Sequence, residues 1–171
     1  MTAMDPFLVE VFAGQVRLQC QFIVMAAEAL SHALRSGDTT QTFHAVQGLL
    51  SAAANVQKAL WGQGGRRQAD REVLRQHLGI EENSPFRQMG MRDNFDHFDE
   101  RLEEWWRQSK SQNYVDLNVG NVAAALTGTE EIDVFRNLDP ATMDLVFWGD
   151  TFNIAAIVAA AQQILRQAPN I

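Results

Sequence analysis

Apolar side chains recur at helical spacing through the first third of the chain. Phe7, Val11, Leu18, Phe22, Met25 and Leu30 follow one another at steps of four, seven, four, three and five residues. That is the period of a helix with one apolar stripe. Asp5 can accept hydrogen bonds from the first free N–H groups of such a helix, and Pro6 suits its first position. Gly37 stops it, so a helix is expected over about 6–35. Asp38, Thr39 and Thr40 offer caps for a second helix reaching about residue 61. Its stripe is Phe43, Val46, Leu49, Leu50, Ala53, Ala54 and Leu60. A break as short as Ser36-Gly37-Asp38 makes the two helices an antiparallel pair.

The glycine-rich Trp61-Gly62-Gln63-Gly64-Gly65 turn follows, and a short helix is expected over about 68–77. Ser84 before Pro85 marks another helix start, and the pattern predicts a long charged helix from there to about 108–110. On a wheel at about 100° per residue, Met91, Phe95, Phe98, Leu102, Trp105 and Trp106 share one sector, while Arg92 and His97 fall outside it. Residues 111–130 have mixed periodicity, with a short helix expected around 122–126. Two β-branched and aromatic runs flank Asp139-Pro140-Ala141-Thr142, which reads as a β-hairpin with a type I turn. Gly149 would stop its second strand and Asp150 would cap a last helix over about 151–167. That helix carries Ile154, Ile157, Val158, Ala161, Ile164 and Leu165 on one face. The expected fold is therefore mainly all-α, in one domain over 1–171: an up-and-down four-helix bundle with a small β-hairpin inserted before the last helix.

Composition narrows the functional classes. The net charge is −7, which argues against broad non-specific binding to nucleic acid, since that rests on neutralising phosphates. The charge is uneven: ten basic and ten acidic side chains lie between Lys58 and Lys110, against four basic and eleven acidic elsewhere. Arg66, Arg67, Arg71, Arg75, Arg87 and Arg92 form a basic strip just before and at the opening of the charged helix, the place where RNA contact is expected. Cys20 is the only cysteine, so no disulfide can form within the chain, and its apolar surroundings make it a core residue rather than a nucleophile. No basic-then-apolar leader is visible at the N-terminus, and no apolar run reaches a spanning length. The expected setting is the cytoplasm, without a membrane. Neither a phosphate loop nor the paired Glu-x-x-His pattern of a di-metal bundle is present, so no metal or cofactor is expected. His32, His44 and His77 have no acidic or Cys partner at a suggestive spacing.

The stretch Arg92-Asp93-Asn94-Phe95-Asp96-His97, set in a helical bundle, resembles the signature of the HEPN superfamily: an arginine, a polar residue, then a histidine after four to six intervening positions. Arg92, Asp93 and His97 match it. The resemblance covers the helical framework, about 6–110 and 151–167, and less specifically the hairpin before the last helix. It implies a homodimer whose two signature helices face each other. It also implies a metal-independent endoribonuclease of toxin or phage-defence type in many members, with an antitoxin or other partner protein in some. Others act as non-catalytic modules that bind protein or RNA. The tyrosine that some members carry two residues after the histidine is Asp99 here.

The residue chemistry suits RNA cleavage. Taking the proton of a ribose 2′-OH requires a base that works near neutral pH, which is histidine's range. The phosphorane-like transition state requires fixed positive charge, which arginine's fork supplies. The expected catalytic residues are therefore His97 as acid/base, Arg92 as phosphate clamp and Asp93 as the polar group that orients them.

Overall fold

The computed structural model describes residues 4–88, 94, 97–121 and 130–167. Five α-helices stand in it: α1 Pro6–Ser36, α2 Thr39–Trp61, α3 Glu72–His77, α4 Phe98–Gln108 and α5 Ile154–Arg166. Four short strands form one sheet, in the order β1 Asn118–Val119, β2 Arg136–Asp139, β3 Asp144–Phe147 and β4 Asp150–Asn153. The molecule is mostly helical with a small four-stranded sheet.

The two long helices follow the local signals closely. The Asp5 carboxylate accepts from the N–H groups of Phe7 (2.9 Å) and Leu8 (3.4 Å). Gly37 ends α1 at φ +69°, a left-handed conformation that costs glycine little. Asp38 caps α2 by accepting from Gln41 N–H at 2.9 Å, and the whole expected stripe of α2 is buried. α1 packs along α2 and α5, and these three helices enclose the main core.

The stripe of α1 is a different matter. Its buried residues are Val9, Ala13, Val16, Cys20, Ile23, Leu30 and Ala33. Of the six stripe positions named from the pattern, only Leu30 is buried, while Phe7, Val11, Leu18, Phe22 and Met25 are exposed. α1 is apolar on two opposite faces, and packing selected the one with the smaller side chains. For the same reason α1 is long and apolar enough, by length and composition alone, to cross a membrane. This corrects the expectation that no run reaches spanning length.

The expected long helix over 84–110 is not one helix. Pro85–Gln88 is a 3-10 turn and α4 begins only at Phe98. His97, at φ −119° and ψ 33°, is outside helical geometry, so wheel angles carried through it do not hold. α4 has no fully buried residue and packs on the 3-10 turn Glu131–Asp133. α1, α2 and α5, joined by Leu74 of α3, share the core, and α4 packs apart from them on the Glu131–Asp133 turn.

The single expected hairpin is a meander of three antiparallel strands with β1 added in parallel on β2. The turn around Asp139–Thr142 is present, with the Asp139 carboxylate accepting from Ala141 N–H at 2.8 Å. The second turn was not anticipated. Trp148 and Gly149 both have positive φ (52° and 82°), the mark of a two-residue type I′ hairpin loop. The segment after it continues as β4, and Asn153 rather than Asp150 caps the last helix, accepting from Ala156 N–H at 2.8 Å. The helix expected around 122–126 lies outside the described residues.

Candidate functional site around His97

His97 stands at the N-cap of α4 but its side chain makes no capping bond. Its imidazole is 57% exposed, and Nδ1 lies 3.5 Å from Oε1 of the exposed Glu100 one turn on. Arg92 and Asp93, the other two signature residues, lie outside the described residues.

Asn94, inside the signature and missed by the sequence reading, is buried. Its Nδ2 donates to the Phe147 carbonyl (3.2 Å) and to Asp150 Oδ2 (2.9 Å). It pins the middle of the signature stretch to the β3–β4 turn. An asparagine on a charged stretch gives no sign of this, because both partners are more than fifty residues away.

The far end of α4 is held by a second buried polar centre. The Asp133 carboxylate is fully buried. It accepts from Trp105 Nε1 (3.1 Å), from the hydroxyls of Ser109 and Ser111, and from Glu130 N–H (2.9 Å). Burial pushes its pKa up, but the hydrogen bonds from Ser109, Ser111, Glu130 and Trp105 outweigh that and bring it down to about 2. Nearby, Asp116 accepts both Nε and Nη2 of Arg136, a bidentate pair, and the Tyr114 hydroxyl donates to the same carboxylate at 3.1 Å. Burial first, then Asp116, pushes that phenol up to about 12. Rings of Trp105, Tyr114, Phe135 and Phe147 touch in series. Trp105 is thus a packing residue with a satisfied N–H, whereas Trp106 is 59% exposed.

The basic strip does not form one surface. Arg75 is only 5% exposed and donates through Nη1 to the carbonyls of Leu60 (2.9 Å) and Gln68 (2.8 Å). It closes the C-terminal end of α2 and cannot reach a phosphate. Arg71 lies over the Phe12 ring, 3.7 Å from its centroid. Arg87 is bound to Glu82 by its carboxylate and its carbonyl. Arg67 pairs with Asp70 at 3.1 Å on open surface, and Arg66 is exposed. Around His97 the exposed acids of α4 are Asp99, Glu100 and Glu103, while Arg101, one turn on, pairs with Glu104 at 3.3 Å.

Gly62 explains why the turn before this strip is glycine-rich. At φ +77°, a Cβ there would meet the Cβ of Arg67 at 2.7 Å. The loop is a tight connection. Cys20 is buried and its thiol is pushed up to about 12 by that burial, which makes it inert as a nucleophile. His77 does have an acidic neighbour, Glu10 at 3.4 Å, but only through the packing of α3 on α1.

No protein-family model matches the chain, and neither a curated protein nor a solved structure matches it.

Proposed function

We propose that this chain is a HEPN-like, metal-independent endoribonuclease acting through the stretch that ends in His97. One observation supports this reading best: an exposed imidazole at the start of α4, beside the carboxylate of Glu100. In the reaction, the imidazole takes the proton of a ribose 2′-OH. The 2′-oxygen attacks the adjacent phosphorus, the bond to the 5′-oxygen breaks, and a proton is returned to that leaving oxygen. The products are a 2′,3′-cyclic phosphate and a 5′-hydroxyl. Arg92 as phosphate clamp and Asp93 as orienting group enter on the sequence pattern. A cytoplasmic homodimer in an up-and-down helical bundle, an RNA substrate and an antitoxin-like partner belong to the same proposal.

The test is RNA cleavage in EDTA by the wild type beside His97→Ala and Arg92→Ala. Cleavage with cyclic phosphate ends, reduced by about a hundredfold or more in each variant, is the expected result. Cleavage that survives His97→Ala would overturn the assignment.

A second reading is a non-catalytic binding module. It is favoured by the acids around His97 and by the internal engagement of Arg71, Arg75 and Arg87, which leave little positive surface for a phosphate chain. A folded wild type that cleaves no RNA on a broad panel would transfer the assignment to this reading.

A further inference from the structure

α1 carries a continuous apolar face that none of the described residues covers. Phe7 is 77% exposed and Met25 63%, and Val11, Leu18 and Phe22 between them are exposed as well. At 1.5 Å per residue the face runs for about 27 Å along one side of the helix. Monomeric proteins seldom expose contiguous apolar patches beyond a few hundred Å².

Two features of the same face identify what covers it. The first is Gly14. It sits in the middle of α1 and on this stripe, and a Cβ built there would meet nothing within 4 Å. Nothing inside the chain calls for glycine, which costs a helix interior about 1 kcal/mol against alanine. Close approach of another helix does call for it. The second is the order of charges along one flank of the stripe: Glu10, Arg17, Glu28, Arg35. Signs alternate, and the pairs Glu10/Arg35 and Arg17/Glu28 share one midpoint, next to Phe22. An antiparallel second copy of α1, turned about a two-fold axis there, sets each charge against its opposite. The other flank, with Gln15 and Gln19, carries no charge, so a parallel copy gains no such pairing. The same register brings Gly14 and the exposed Ala29, and likewise Leu18 and Met25, to within about two residues (about 3 Å along the axis) of one another, with the two Phe22 rings beside the axis. In the single chain Glu10 meets His77 and Arg35 donates to Ser31, both contacts of exposed groups that can exchange.

We propose that the exposed face of α1 is a homodimer interface, formed by an antiparallel, two-fold pair of α1 helices centred near Phe22. The interface is isologous, and the helix is complementary to itself only in this arrangement. It is distinct from the contact through the His97 helices that the HEPN resemblance implies, and it stands whether or not the chain cleaves RNA.

Sedimentation equilibrium of the full chain tests it. The wild type is expected to be a dimer. Leu18→Glu, whose side chain is outside the core, is expected to weaken association by about thirtyfold or more with an unchanged helical circular dichroism spectrum. Arg17→Glu is expected to weaken it by about tenfold, and adding Glu28→Arg to restore it. Phe22→Cys is expected to form a disulfide-linked dimer on mild oxidation. Phe7→Cys is expected not to, because its copies lie about 45 Å apart in this register. A wild type that stays monomeric would overturn the proposal. So would a dimer indifferent to Leu18→Glu, which places the contact elsewhere. A monomer that floats with vesicles of mixed neutral and anionic phospholipid, and ceases to when Phe22 is made Glu, would also overturn it and assign the face to lipid.

Discussion

Arg75 has the residue type of an RNA contact and the surroundings of a structural cap. Its fork supplies donors to the carbonyls of Leu60, in the last turn of α2, and Gln68, in the turn that follows. Removing it leaves those carbonyls without their donor and opens space beside Trp61, whose ring lies 5.7 Å from its guanidinium. Arg75→Ala is therefore expected to lower unfolding free energy by about 2–3 kcal/mol in chemical denaturation, whereas Arg66→Ala, on open surface, is expected to change it little. Asp133 is the acidic counterpart. Its carboxyl is lowered from 3.8 to about 2 in the folded chain, so the native state favours the ionised form more than the unfolded chain does. The stability it contributes is complete above its ordinary value and is lost as pH falls towards about 2. Asp133→Asn is expected to be less stable than wild type near neutrality. The gap between their denaturation midpoints should close between about pH 4 and about pH 2. A gap that is independent of pH would mean that the ionised carboxylate is not what the four donors require.

At the scale of elements, the joint between the meander and α5 is carried by one side chain. Asn153 caps α5 with its oxygen, while its Nδ2 donates to the Thr142 carbonyl (3.0 Å) and to Asp144 Oδ1 (2.9 Å). Asn153→Ala removes a cap and the link to the β2–β3 loop together. A loss of about 1–2 kcal/mol is expected, with hydrogen exchange quickened at the first turn of α5 and in β3–β4 while α1 and α2 keep their protection. Asn94 plays a like part for the His97 stretch, since it ties that stretch to the β3–β4 turn. The break in the charged segment falls at His97, outside helical geometry, and α4 starts afresh at Phe98. The charged pattern of 84–110 could be read as amphipathic throughout. What it lacked was any sign that the sheet competes for its middle.

Over the whole molecule, α1 links fold and assembly. One face, lined by Ala13, Val16, Cys20 and Ile23, closes the core against α2 and α5. The opposite face holds the larger side chains and stays in solvent in the single chain. If a second copy covers it, the thermal midpoint of the wild type rises with concentration and that of Leu18→Glu does not. This is the stability counterpart of the association measurement.

How much of this was legible follows from the range of each interaction. The caps at Asp5 and Asp38, the stop at Gly37, the stripe of α2, the face of α5 and the turn after Asp139 are decided within a few residues, and the sequence by itself determined them. The Arg-polar-x3-His pattern that singles out Arg92, Asp93 and His97 is equally local, and so is the exposure of a histidine among acids. The tertiary structure alone decided the rest. It chose which of two apolar faces of α1 is buried, took Arg75 out of the basic strip, extended the hairpin into a four-stranded sheet and broke the charged helix before Phe98. Periodicity reports that a helix has an apolar face. It does not report what lies opposite that face, because that depends on partners tens of residues away whose pairing exists only once the chain has closed on itself.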